Sequence, residues 1–89
     1  MIPNSSLLRI ALIEVLKENP KGLSSKEIDR LVALKLNISS DDLAIIRSGT
    51  RSEFAYRMAW ERSHAKAEGS IIKLGGGHWR ISGPGDKNI

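Results

Sequence analysis

His64 and His78 are the only imidazoles of this 89-residue chain, which has no cysteine. A metal site needs three or four convergent ligands. With no thiolate and no third partner in view, both histidines read as surface residues. The missing cysteine also removes a thiol nucleophile and any disulfide. Gly75-Gly76-Gly77 does not cradle a phosphate, because it joins two strand-like segments and precedes no helix. Its plain role is a turn needing positive φ, with the further property that a tip without side chains can approach a nucleic-acid backbone closely. Residue types and spacing therefore point to no catalytic residue, no cofactor and no metal.

What remains is charge. The chain carries a formal +4, and it is unevenly spread: residues 1–46 hold six Lys/Arg against six Asp/Glu, and residues 47–89 hold eight against four. All four aromatic residues, Phe54, Tyr56, Trp60 and Trp79, fall in that basic second half. A basic, aromatic half beside a neutral one is the footprint of a nucleic-acid face on a neutral support. The length allows one domain with one modest core. The longest apolar run, Ile10 to Ile13, is far too short to span a bilayer. The start shows no export signal, so an intracellular, soluble domain is expected.

The elements that must position the basic set can be read from periodicity. Leu8, Ala11, Leu12, Val15 and Leu16 follow one helical face, capped by Asn4 or Ser5 and stopped at Asn19-Pro20-Lys21-Gly22. Ser24 and Glu27 form a capping box for a second helix to about Leu36, with Ile28, Leu31, Val32 and Leu36 inward. Ser39-Ser40-Asp41-Asp42 opens a short third helix, with Leu43 and Ile46 expected buried and Ser48-Gly49 ending it. Thr50-Arg51-Ser52-Glu53 reads as another capping box, starting the longest helix, which runs to about Glu68 and stops at Gly69. Phe54, Met58 and Ala65 mark its inner side; Tyr56, Ala59, Ser63 and Lys66 lie opposite, flanked by Trp60 and Arg62. Glu61 falls beside the inner stripe, where an ion pair with Arg57 one turn away can absorb it. The period then changes to two: Ile71 to Leu74 and His78 to Ile81 form a hairpin, with Trp79 and Ile81 inward and His78 and Arg80 outward. The fold class is α+β, mostly α: a winged helix over residues 1–82, with 83–89 a flexible tail or the start of a linker. Residues 37–49 exceed the short turn of a minimal helix-turn-helix.

Ser48-Gly49, Arg51, Phe54, Arg57, Met58, Trp60, Gly69, Ile71 and Gly77-His78-Trp79-Arg80-Ile81-Ser82 form an ordered series. Together they resemble the N-terminal domain of Mrr-like restriction proteins, over roughly residues 2 to 85. Pro3 and Leu36-Asn37-Ile38-Ser39 also match that pattern, which makes the extra short helix an expected part. Near Glu61, at Ala65 and near Glu68 the family tends to be apolar, and this chain departs from it. The resemblance implies a winged helix preceding a nuclease domain that cuts modified DNA, in a prokaryotic, cytoplasmic setting. Such nucleases use an acid followed by Glu-x-Lys, and no Glu-x-Lys or Asp-x-Lys occurs here; Glu14 and Lys17 have the wrong spacing. The chain itself is expected not to be an enzyme.

The DNA contacts expected are Arg51, Ser52, Tyr56, Arg62 and Lys66 on the long helix, and Lys73, His78 and Arg80 on the wing. Ser52 is placed for a phosphate by the unsatisfied amides of the helix start. Arg57 is expected in an ion pair with Glu61 or Glu53, Trp79 buried, and Trp60 at the edge of the outward face. The partners expected are double-stranded DNA, methylated or plain, a C-terminal nuclease domain and a second copy of the chain, but no membrane. Two alternatives stay open at this point: a protein-interaction or dimerisation winged helix that presents Trp60 and Tyr56 as an apolar patch, and a free-standing transcription regulator.

Overall fold

A computed structural model of the protein describes residues 2–49 and 51–83, without the side chains of Ser48 and Arg51. The expected boundary at residue 82 is followed by residues 84–89, which lie outside the described residues. The chain runs α1 (Ser5–Glu18), β1 (Leu23–Ser24), α2 (Ser25–Lys35), α3 (Ser40–Leu43), β2 (Ile46–Ser48), β3 (Arg51–Ser52), α4 (Glu53–Ala67), β4 (Ile71–Leu74) and β5 (His78–Ile81). This is an α+β, mostly helical winged helix. Its helices pack on a three-stranded antiparallel sheet of order β1-β5-β4, and β2 and β3 form a separate two-stranded ribbon.

Local chemistry sets the element starts. The Asn4 side chain accepts from the Leu7 amide to cap α1. Ser24 and Glu27 cap α2 reciprocally, and these contacts to Ser24 hold the Glu27 carboxyl below its usual range. Asn37 ends α2 in the left-handed region at φ 54°, which asparagine tolerates, and the Ile38 amide returns to Ala33 O. Apolar periodicity then assembles the core. Leu8, Leu12 and Leu16 of α1 meet Ile28 and Val32 of α2, Phe54, Met58 and Ala65 of α4, and Ile71 and Trp79 of the sheet.

Three expectations require correction. Ile46 is not buried: α3 ends after Leu43, and Ile46 lies in β2 at 56% exposure. The third helix therefore stops short of Ser48-Gly49, and the chain folds back as a ribbon pairing Ile46 with Ser52. The cap of α4 is Ser52, whose hydroxyl accepts from the Ala55 amide at 3.0 Å; Thr50 lies outside the described residues. Strand β1 was also missed. It pairs Leu23 with Trp79 across the sheet, and Gly22 makes the approach possible. At φ 101° that glycine sits so close to β5 that a Cβ would stand 2.8 Å from the Trp79 carbonyl oxygen.

Candidate nucleic-acid interface

The outward side of α4 carries an aromatic ladder at successive turns. Tyr56 meets Trp60 edge-on with ring centroids 6.5 Å apart, and Trp60 meets His64 at 5.4 Å. Trp60 is 51% exposed, which settles its position on the outward side. Tyr56, Ala59, Trp60 and Ser63 line a shallow hollow on this face. One helical turn further on, Ser63, Lys66 and Ala67 share a cleft with Lys73 and Trp79 of the wing. Lys73 lies opposite Trp79 in the β4–β5 register and carries its ammonium over the indole, 5.5 Å from the ring centroid. Neither Lys66 nor Lys73 has an ion-pair partner among the described residues.

The acids of α4 and of its C-cap, Glu68, are drawn away from this side. Glu61, only 3% exposed, takes Arg9 Nε at 2.8 Å, and Glu68 takes the same guanidinium through Nη1, so Arg9 ties α1 to α4. These are two positions where the chain departs from the apolar pattern of the family it resembles, and one arginine accounts for both. Glu53 is held by Arg47 at 3.0 Å. Both acids considered for Arg57 are thus engaged elsewhere, and Arg57 forms no ion pair among the described residues. This corrects the expected Arg57 pairing.

The expected contact residues do not all converge. Arg62 is 9% exposed and turned against α2, where its Nη1 bonds Asp29 Oδ1 at 2.6 Å. Its expected outward position is corrected for a simple reason: α2 brings a carboxylate into reach. Burial pushes the Asp29 carboxyl up to about 6 against the pull of Arg62. Trp79 is buried as expected, and its indole N–H donates to Ser25 Oγ at 2.9 Å. His78 and Arg80 fall on the hairpin face opposite to Trp79, pointing away from α4. The Arg80 guanidinium donates to the Ile81 carbonyl at 3.0 Å. Ser52 spends its hydroxyl on the helix cap. Arg51 has its backbone in β3, and its side chain lies outside the described residues. Tyr56, Lys66 and Lys73 are therefore the members of the set that share one surface.

One basic residue on this surface was missed. Arg47 of β2 lies over the Tyr56 ring, 3.8 Å from its centroid, and contacts with Glu53 and Tyr56 hold it charged. The only sequence signal was its charge, because the ribbon that delivers it was read as helix. Among the described residues no group of three His, Cys, Asp or Glu side chains is arranged to hold a metal ion.

The Mrr N-terminal domain family matches residues 7–89, nearly the whole chain. The chain belongs to the Mrr N-terminal domain family. Membership sets it in the context of Mrr-like restriction systems and agrees with the resemblance carried by the long helix and wing. No curated protein and no solved structure matches it. In this Mrr N-terminal domain no helix among the described residues is long and apolar enough to cross a membrane.

Proposed function

We propose that this Mrr N-terminal domain binds double-stranded DNA as the target-recognition domain of a modification-dependent restriction system, with cleavage supplied by a separate nuclease domain. The observation that carries the reading is the convergence of Lys66 and Lys73 in one cleft between α4 and the wing, while Glu53 and Glu61 of α4 and Glu68 at its C-cap are all bound by arginines. Phosphate contacts supply most of the affinity of such a face, and base edges are read by the helix in the major groove. The hollow among Tyr56, Ala59, Trp60 and Ser63 is apolar enough to face the C5-methyl group of a pyrimidine, which stands in that groove. A cytoplasmic, prokaryotic setting follows from the same reading. One small module binds weakly, so a second copy or the linked nuclease domain raises the working affinity.

Binding to a mixed-sequence duplex should weaken with salt, with a log–log slope of about −3 to −5. Duplexes with and without C5-methylated cytosine then test the hollow. A chain that binds no duplex at low salt refutes the DNA reading. A second reading rests on the 51% exposure of Trp60: the same ladder would serve as a protein-docking patch, and Trp60→Ala would then abolish association with a protein while leaving DNA aside.

A further inference from the structure

The β2–β3 ribbon lies at one end of α4 and the wing at the other. Arg47 reaches from the ribbon onto the outward side of α4, over Tyr56, and Lys73 reaches from the wing onto the same side, beside Lys66. The ribbon is held in place by its pairing of Ile46 with Ser52 and by the Glu53 amide donating to Ile45 O at 2.9 Å. A helical rise of about 1.5 Å per residue separates Tyr56 from Lys66 by about 15 Å along the axis. The major groove is about 12 Å wide between its two phosphate walls. A helix with its side chains is about 10–12 Å across and fills that width lying along the groove, so Arg47 and the pair Lys66 and Lys73 stand near the two ends of α4, each end able to reach a different phosphate. Glu53 occupies one side of the Arg47 guanidinium, but that group carries five N–H donors in a rigid fork, and the side chain is 44% exposed. Tyr56 and Glu53 fix the fork in advance, so little freedom is lost when it meets a phosphate.

We propose that the β2–β3 ribbon is a second wing, and that Arg47 grips the phosphate backbone near the start of α4, at the other end of the helix from Lys66 and Lys73. The inference rests on the DNA reading above and adds a contact that reading does not need.

Duplex binding by the whole chain is measured across salt concentrations for the parent, Arg47→Ala, Arg47→Lys, Lys73→Ala and the Arg47→Ala/Lys73→Ala pair, each with its melting temperature. Arg47→Ala and Lys73→Ala should each flatten the log–log slope by about one unit, and the pair by about two, because each removes one phosphate contact. Arg47→Lys should keep the parent slope, since it keeps the charge. If Arg47→Ala binds with the parent slope while Lys73→Ala does not, the second wing is wrong and the DNA reading stands. A lysine variant that loses the slope as fully as the alanine variant also overturns it, because Arg47 would then act through the fold. No binding by the parent overturns both.

Discussion

Trp79 shows how one side chain decides between two functions. An indole between two outward polar residues on a wing is either a stacking platform or a core anchor. Ile81, two residues on, pointed to the core, because alternate strand residues share a face. The structure buries Trp79 and gives its N–H a partner, Ser25 Oγ at the start of α2. Trp79→Ala should therefore cost on the order of 3 kcal/mol in chemical denaturation. Trp79→Phe keeps most of the apolar contact and loses the hydrogen bond, a loss of about 1 kcal/mol beyond its smaller volume. Equal stability of parent and Trp79→Ala would place the ring in solvent. Arg62 and Arg57 were not legible in this way. Helix phase set Arg62 beside the outward face and offered Arg57 an acid one turn away, but the partners that decide their placement come from other helices: Asp29 takes Arg62, and Arg9 takes the Glu61 that Arg57 was expected to meet.

At the scale of elements, caps and periodicity were legible and short strands were not. Asn4, Ser24 and Ser39 each mark a helix start through a side chain that accepts an amide within three residues, which is local chemistry. Strand β1 has two residues and the ribbon little more, so their periods are too short to register. Their partners are distant, as for β1, or depend on a register shift between Ile46 and Ser48, as in the ribbon. The ties between helices are ionic, and they make specific predictions. Arg9→Met leaves Glu61 buried without its cation and should cost about 3–5 kcal/mol, with Arg9→Met/Glu61→Leu recovering most of that in urea denaturation. No recovery would mean that Arg9 acts by packing alone. The tie between α2 and α4 gives a pH signature. The Asp29 carboxyl is raised from 3.8 to about 6 by burial, so the folded state holds more protons there between those values. Stability from this group is full below about 4 and is lost as pH rises through about 6. Asp29→Asn should remove that component, so melting temperatures of variant and parent should diverge in favour of the variant from pH 4 to 7. Parallel curves would show that the carboxyl titrates alike folded and unfolded.

For the whole molecule, the split of charge between the two halves of the sequence pointed to a basic face, and the structure sharpens it. Of the basic residues in the second half, Arg62 is spent inside the fold and Arg80 faces away from α4, so the excess is not spread evenly over that half. What remains beside the outward side of α4 is a small group, Arg47, Lys66 and Lys73, in the absence of an unpaired acid on that helix among the described residues. Net charge and local placement then make different predictions. Lys66→Ala/Lys73→Ala lowers the formal charge from +4 to +2, as does Lys17→Ala/Lys21→Ala at the far end of α1 and the turn after it. Both pairs are exposed and outside every ion pair among the described residues, so both double variants should fold and melt like the parent. If the molecule as a whole attracts DNA, the two should weaken binding equally. If the cleft binds phosphate, the first pair should flatten the salt slope by about two units and the second should leave it within a few tenths. Filter or fluorescence titrations at several salt concentrations separate these outcomes, and equal losses would remove α4 and its wing from the interface.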